Sequence, residues 1–190
     1  YASTSGGVLE FNPYLEEFNF IKMEEGLVYL DLASITIDSY NRLWLGGAYP
    51  KGCLQVYDPN IGLVQFFEDD LIVSINKMQI GENIAFAIYQ GATIGDIGVL
   101  KFELDEVGIP EYKDYYNVFN QETISEIRDI DIFNNNLYVT TDQGIFVGNY
   151  TANLKLTSNW DKVYSGDDAR QFLPGESPLI FGNNSIIDLQ

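Results

Sequence analysis

The chain has 190 residues, of which 28 are acidic and 10 are basic, so its formal net charge at pH 7 is −18. A surface this acidic repels phosphate backbones and anionic lipid headgroups, which argues against nucleic-acid binding and against docking on a membrane. The sequence contains one cysteine and no histidine, which excludes an internal disulfide, a zinc site built from thiolates, and Ser-His-Asp or Cys-His catalysis within this chain.

The length predicts a single domain, residues 1–190, with one sizeable core. Aromatic residues make up 14% of the chain, which favours β-structure over helical bundles. No apolar run reaches the roughly eighteen residues that a membrane-spanning helix needs, so no membrane insertion is predicted. The chain begins with Tyr1, and processing or truncation could have removed a targeting segment.

An internal repeat is the main signal in the sequence. A glycine precedes a short apolar strand at Gly7, Gly52, Gly98 and Gly144, and these glycines lie 45, 46 and 46 residues apart. Two classes of turn rich in Asn, Asp and Gly recur with the same period, including one at 175–178. A period near 45 residues with several strands in each unit is typical of the blades of a β-propeller.

The repeat predicts an all-β fold built from four-stranded antiparallel blades. Complete blades are expected at about 31–72, 73–122 and 123–166, flanked by partial blades at 1–30 and 167–190. Because a gap in a propeller would expose strand edges, we expect these residues to be about four blades' worth of a larger, six- to eight-bladed propeller in a longer chain. Pairing of two copies into one ring is the alternative.

The second repeat carries a recognisable motif. Asn41–Gly47 reads NRLWLGG, Gly52–Pro59 reads GCLQVYDP, and the aromatic pair Phe66 and Phe67 follows. This unit resembles the two-component-regulator propeller repeat, in which a strand of the type LW(I/L)GT leads to GGL..YDP and then to an aromatic-bearing strand. The segment Gly6–Pro13 is similar to the second half of the same unit. The third and fourth repeats match the period but lack the tryptophan of the motif.

The resemblance implies a propeller fold and an extracellular, cell-surface or periplasmic location. Such repeats occur in sensor ectodomains of bacterial hybrid kinases, where glycan fragments are common ligands. They also occur in secreted or surface proteins, some of them linked to type IX secretion. The family has no fixed catalytic residues to transfer, so the resemblance implies a binding or scaffolding module.

Three residues are interpreted as core. Trp44 lies between two leucines in a second strand and is expected to pack between blades. Trp160, in a fourth strand near the rim, is expected to pack as well but to be more exposed than Trp44. Cys53, between a glycine and a leucine at the start of a strand, is expected to be a small buried residue.

Candidate ligand-binding residues lie in the loops that join second to third strands. In a propeller these loops and the connections between blades open on one face around the central channel. We expect tyrosines there to stack on a sugar face and polar groups to bond its hydroxyls, the alternative being ordinary solvated turns. The candidates are Tyr49, Lys51, Tyr89, Gln90, Asp96 and Gln143.

The sequence indicates neither a cofactor nor a metal site. The pairs Asp69-Asp70 and Asp167-Asp168 follow fourth strands, but they lack the alternating ligand spacing of a calcium loop and are interpreted as solvated acidic turns. No single pair among the 28 acids stands out as a general acid and base. No catalytic residue is therefore assigned.

Three functions follow from these observations. The first is a non-catalytic extracytoplasmic propeller module that presents its channel face to a glycan or a protein. The second is the catalytic propeller of a polysaccharide lyase or hydrolase that uses Asp, Glu and Tyr. The third is a structural spacer in a large surface protein, with no ligand.

Overall fold

The structure is a computed structural model that describes residues 1–93, 95–173, 178–183 and 186–189. Its strands form five antiparallel sheets, each of which takes its strands in sequence order, and we call the sheets blades 1 to 5. Blade 1 contains β1 (Ala2–Thr4), β2 (Gly7–Asn12) and β3 (Glu17–Ile21). Blade 2 contains β4 (Asp31–Ile37), β5 (Leu43–Tyr49), β6 (Cys53–Asp58) and β7 (Gly62–Glu68).

Blade 3 contains β8 (Ile72–Ile80), β9 (Ile84–Gly91), β10 (Ile97–Leu104) and β11 (Pro110–Tyr116). Blade 4 contains β12 (Ile127–Phe133), β13 (Asn136–Thr141), β14 (Gly144–Asn149) and β15 (Trp160–Ser165). Blade 5 contains β16 (Ala169–Leu173), β17 (Leu179–Gly182) and β18 (Ile186–Asp188). Single turns of 3-10 helix at Met23–Glu25 and Thr157–Asn159 are the helical segments of the described residues.

The blades are arranged as a β-propeller, which confirms the predicted fold. The first strands of neighbouring blades contact one another, β4 with β8, β8 with β12 and β12 with β16, so they lie nearest the axis. Among the described residues, blade 1 supplies second, third and fourth strands and blade 5 supplies first, second and third strands. The number of blades in a complete ring stays a prediction.

Apolar clusters between adjacent blades form the core. One cluster joins blades 1 and 2, a second joins blades 2 and 3, a third joins blades 3 and 4, and a fourth joins blades 4 and 5. Blades 2, 3 and 4 are therefore apolar on both faces, and burial of those faces is the main source of stability. Trp44 is 1% exposed in the second cluster, as predicted for a residue between blades.

Trp160 differs from its prediction. It lies in the cluster between blades 3 and 4 with only 1% of its surface exposed, as buried as Trp44. Its indole Nε1 donates a 2.8 Å hydrogen bond to the Leu154 carbonyl, and its ring meets Phe119 edge-on at 4.8 Å. The prediction did not include the segment before β15, in which Leu154 packs in the same cluster and helps to bury the Trp160 ring.

Gly46, in the middle of β5, allows a close approach between blades 2 and 3. A Cβ on Gly46 would collide with the Ile75 carbonyl oxygen of β8, so the glycine lets the next blade pass closely. The Ser34 hydroxyl donates a 2.8 Å hydrogen bond to the same carbonyl and fixes the approach. The motif strand of the second repeat is thus shaped by contact with blade 3.

The strand pairing shows that the sequence alignment of the repeats is one residue off in blade 2. Val8, Val99 and Ile145, which follow the aligned glycines, each pack toward the next blade. In blade 2 the residue that does so is Leu54, and it pairs with Phe67 of β7. Cys53, rather than Gly52, therefore occupies the position of the other three glycines. It is fully buried, as predicted.

Two sequence features lie partly outside the described residues. The turn expected at 175–178 falls mostly on 174–177, and the predicted 90–97 loop includes residue 94. The turns expected at 38–41, 81–83 and 134–136 do join first to second strands. Asn41, Asn134 and Asn135 adopt the left-handed backbone angles that such tight turns require.

Candidate functional site: a cleft between blades 2 and 3

Loops that join second to third strands lie beside the connections between blades. Lys51, in the β5–β6 loop, forms an ion pair with Asp70 in the connection from blade 2 to blade 3. Asp142, in the β13–β14 turn, accepts hydrogen bonds from the Ser125 hydroxyl at 2.7 Å and the Ser125 amide at 3.1 Å. Both kinds of segment therefore share one face, which we call the channel face.

A cleft of about 230 Å³ opens between blades 2 and 3. It is bounded by the connection between the two blades, the end of β9, the β9–β10 loop and β11. Its described lining combines apolar side chains, tyrosine rings, an amide and two carboxylates. The lining residues are Asp69, Leu71, Ile72, Tyr89, Asp96, Leu100, Tyr112, Tyr115 and Asn117.

Tyr89 forms the buried end of the cleft. It faces Gly98 across β9 and β10, and a Cβ on Gly98 would lie 2.7 Å from the Tyr89 ring, so the glycine makes room for the tyrosine. The residue is 5% exposed, and no described residue shares a hydrogen bond with its hydroxyl. Burial, and then the nearby Asp96 carboxylate, raise the pKa of Tyr89 far above its usual value, so the hydroxyl stays protonated.

Two tyrosines of β11 form the open side of the cleft. Tyr112 is 38% exposed and stacks on Phe67 at 5.1 Å, while Tyr115 is 43% exposed and meets the Tyr89 ring edge-on at 6.4 Å. Burial and the Asp114 carboxylate raise the pKa of Tyr112. Each ring is held by an aromatic neighbour and leaves part of its surface to solvent, which suits stacking on a ligand.

Two half-buried carboxylates flank the buried tyrosine. Asp69 accepts a 2.8 Å hydrogen bond from the Leu71 amide, which shapes the connection between blades. The Asp96 side chain packs against Gly91 across the loop, and none of the described residues donates a hydrogen bond to its carboxylate. The cleft therefore offers hydrogen-bond acceptors beside exposed aromatic surface.

The six predicted binding residues divide between this cleft and other places. Tyr89 and Asp96 line the cleft, although Tyr89 is buried where an exposed stacking ring was expected. Gln90 follows Tyr89 and is exposed. Lys51 is held by Asp70, next to Asp69 of the cleft.

The other two predicted residues lie elsewhere on the channel face. Tyr49 is 71% exposed at the end of β5 and does not line the cleft. Gln143 is exposed in blade 4, where its side chain donates a 3.1 Å hydrogen bond to Asp142. The structure thus gathers two of the six candidates into one site and leaves four outside its lining.

In the described part of the chain, the acidic pairs Asp69-Asp70 and Asp167-Asp168 make the contacts of turn residues. Asp69 bonds a backbone amide and Asp70 pairs with Lys51. Asp168 accepts a 2.6 Å hydrogen bond from the Tyr164 hydroxyl, and the Asp167 carbonyl accepts one from Arg128. No group of three or more His, Cys, Asp or Glu among these residues is placed to hold a metal ion.

Sequence reasoning missed Tyr112, Tyr115 and Asn117. The segment Pro110–Tyr116 reads PEYKDYY, and a β-bulge within it places Tyr112 and Tyr115 on the same side of β11. Strict alternation would place them on opposite sides. The density of tyrosines was the available signal, but the bulge that aims them could not be deduced from it.

Comparison with known proteins supports the fold. No protein-family profile and no curated protein matches the sequence. The extracellular domain of a protein assigned to a one-component system of B. thetaiotaomicron is similar in structure, with a TM-score of 0.62 and 13% identity over 96% of this chain and 25% of that one.

PorZ, a surface component of the type IX secretion system of Porphyromonas gingivalis, is similar to the same degree. Its TM-score is 0.62 at 17% identity, over 90% of this chain and 23% of PorZ. The chain therefore spans about a quarter of the length of these two solved structures. At identities this low, the structural similarity shows a shared propeller fold and no more than that.

The described residues include no helix long and apolar enough to cross a membrane.

Proposed function

We propose that this chain is a non-catalytic, ligand-binding part of an extracytoplasmic β-propeller, and that it binds a carbohydrate in the cleft between blades 2 and 3. The carrying observation is the convergence of Tyr89, Tyr112, Tyr115, Asp69 and Asp96 on one open cleft of the channel face. The extracytoplasmic placement is supported by the similarity in fold to an extracellular domain and to a surface protein.

The chemistry of the cleft suits a sugar ring. Sugars present an apolar face of C–H groups and a rim of hydroxyls, so they are bound by aromatic rings together with carboxylate, amide and hydroxyl groups. The cleft offers both kinds of group. Its volume of about 230 Å³ lies below the roughly 300–1,000 Å³ of sites for drug-sized ligands, which favours one residue of an oligosaccharide.

Calorimetric titration of oligosaccharides into the wild-type chain and a Tyr89→Phe variant tests the proposal. Tyr89→Phe removes only the unpaired hydroxyl and keeps the packed ring, so the melting temperature should change little. Loss of one ligand hydrogen bond should weaken binding by about fivefold, since such a bond contributes on the order of 1 kcal/mol. Tyr49→Ala, an exposed position outside the cleft, is the matched control and should leave binding unchanged.

Equal loss of affinity in both variants would place the ligand elsewhere on the channel face. Product analysis after incubation separates binding from catalysis, because a lyase or hydrolase would release shortened oligosaccharides. Recovery of intact oligosaccharide is the expected result. An absence of binding to any oligosaccharide in the screen would contradict the proposal.

A further inference from the structure

The cleft carries negative charge that no cation of its lining balances. Asp69 and Asp96 both line it, and none of its described lining residues is Lys or Arg. Two basic side chains beside the cleft have carboxylate partners of their own. Lys51 pairs with Asp70, and the Lys155 ammonium lies 2.7 Å from an Asp114 oxygen. Lys51 and Lys155 therefore leave the two cleft carboxylates unmatched.

Tyr89 points to a missing ligand group. Its side chain is more than nine-tenths buried, yet its hydroxyl shares no hydrogen bond with any described residue. Tyr89 lines the open cleft, and no fully buried polar side-chain atom among those residues lacks a partner, so the hydroxyl is not sealed away from solvent. It stands there beside Asp96 and offers an oxygen lone pair to whatever binds.

The aromatic wall already accepts an ammonium group. The Lys155 ammonium lies 4.9 Å from the centre of the Tyr115 ring, within the range of a cation–π contact. The face of a tyrosine attracts positive charge because its π-electrons make it negative. The tyrosine rings and the carboxylates of the cleft thus both favour a positively charged group in a ligand.

We propose that the sugar residue bound in this cleft is an amino sugar with a free, protonated amine. The inference depends on the proposed carbohydrate function and specifies the substituent that this site selects. The ammonium would donate hydrogen bonds to Asp96 and Asp69 and to the Tyr89 hydroxyl oxygen, while the sugar ring covers exposed surface of Tyr112 and Tyr115. A neutral hydroxyl or acetamido group would leave both carboxylates without a charged partner.

Three tetrasaccharides provide the test. The tetramers of glucosamine, N-acetylglucosamine and glucose with the same linkage differ only in the substituent at the second carbon of each ring. Titrated into the whole 190-residue chain in mildly acidic buffer, the glucosamine tetramer should bind at least about tenfold tighter than either neutral tetramer. Added salt should reduce that preference, because the contact is between opposite charges.

Matched variants separate this site from general attraction to an acidic protein. Asp96→Asn keeps the shape of the side chain and removes its charge, so the preference for the amine should fall to within about threefold. Asp161→Asn removes an exposed carboxylate of β15, outside the cleft, and should keep the wild-type preference. Equal effects of the two substitutions would overturn the proposal.

The results separate failure of the amino-sugar proposal from failure of the proposed carbohydrate binding. If all three tetramers bind alike, or a neutral one binds best, the amino-sugar proposal is wrong and the carbohydrate function stands. If none of them binds and a broader oligosaccharide screen is also negative, the proposed function itself fails. A preference for glucosamine that Asp96→Asn abolishes supports both.

Discussion

A glycine opposite a larger side chain recurs where second and third strands meet near the channel face. In blades 1 and 4 the larger residue is threonine, whose hydroxyl bonds the carbonyl of the glycine it faces. In blade 3 it is Tyr89 of the candidate site. The pairs are Thr4 and Gly7, Thr141 and Gly144, and Tyr89 and Gly98. Blade 2 reverses the arrangement, with Gly47 on the second strand and Cys53 on the third.

The Gly47 and Cys53 pair should be convertible to the arrangement of blades 1 and 4. A Cβ on Gly47 would lie 2.5 Å from the Cys53 sulfur, so Gly47→Thr should lower the free energy of unfolding by about 2 kcal/mol through overpacking. The double variant Gly47→Thr/Cys53→Gly should recover roughly half of that loss, because the glycine frees the space. Denaturation in urea measures both.

The single variant Cys53→Gly is the control for this cycle, and it should be destabilised by loss of a buried side chain. If the destabilisations of the two single variants simply add in the double variant, the Gly47 and Cys53 pair is not equivalent to the threonine and glycine pairs of blades 1 and 4. Burial raises the pKa of the Cys53 thiol to about 12, so the sulfur is a packing group and no reactive thiolate is expected at neutral pH.

At the scale of elements, a buried arginine joins the turns of blades 2 and 3 on the face opposite the channel face. Arg42 is 5% exposed, and its Nε donates a 2.7 Å hydrogen bond to the Asp38 carboxylate. Its other nitrogens donate to the carbonyls of Val107 and Gly108 at 3.1 and 2.8 Å. The Trp44 indole donates to the same carboxylate at 3.0 Å. One planar guanidinium thus fixes the β4–β5 turn to the β10–β11 turn.

Arg42→Gln should lower the free energy of unfolding by about 3 kcal/mol at neutral pH, because it leaves Asp38 buried without a charged partner. Burial alone would raise the pKa of Asp38, but the hydrogen bonds from Trp44 and Arg42 outweigh it and hold the pKa below its ordinary value of 3.8. The stability that Asp38 contributes is therefore complete above that ordinary value and is lost as the pH falls through the lower, folded-state pKa.

The difference between wild type and Arg42→Gln should shrink over that same acidic range, which urea denaturation at several pH values measures. Arg170→Gln is the control, since Arg170 makes a surface hydrogen bond to Asn183, and it should cost less than about 1 kcal/mol. A gap that stays constant down to the lowest pH would contradict the role given to the buried carboxylate.

The elements were predictable because the period of the repeat and its turn residues agree. Asn41, Asn134 and Gly81 mark tight turns, and their spacing fixes where strands begin and end. The alignment of blade 2 was one residue off because Gly52 precedes Cys53, and only strand pairing shows which of them faces Gly47.

The candidate site was less predictable than the fold. Tyr89 and Asp96 could be found because they flank the longest loop between a second and a third strand. Tyr112 and Tyr115 could not, because a β-bulge within β11 decides which way they face. Asp69 was visible as an acidic turn residue, but its place beside Tyr89 results from the packing of blade 2 against blade 3.

At the scale of the whole molecule, polar contacts join the innermost strands of three successive blades around the axis. Asp129 of β12 is 1% exposed and accepts hydrogen bonds from the amides of Ile130 and Phe172, at 2.7 and 2.8 Å. The Lys77 ammonium of β8 lies 2.7 Å from the same carboxylate. Asp129 therefore connects blades 3, 4 and 5 at the centre of the propeller.

Asp131, two residues along the same strand, is a partly buried carboxylate without a cationic partner of its own among the described ion pairs. Its carboxylate accepts hydrogen bonds from Gln79 and from the Ile132 amide, both at 2.9 Å. Burial and the nearby charge of Asp129 raise the pKa of Asp131. Ionisation of this group is therefore less favourable in the folded state than in the unfolded chain, and its cost is present at any pH above the folded-state pKa.

The two aspartates should respond in opposite directions to the same substitution. Asp129→Asn should lower the free energy of unfolding at neutral pH by about 2 kcal/mol, because it removes the charge that Lys77 and two amides share. Asp131→Asn should raise it by less than about 1 kcal/mol, since an amide oxygen still accepts from Gln79 and the charge it removes is partly screened by solvent.

The gain from Asp131→Asn should disappear as the pH falls below the ordinary carboxyl pKa of 3.8, where the wild-type residue is protonated in both the folded and the unfolded state. Urea denaturation of both variants across this range measures the effect. Destabilisation of similar size in both variants would show that the inner strands depend on net negative charge near the axis, whereas opposite signs would show that they depend on the hydrogen bonds of Asp129 in particular.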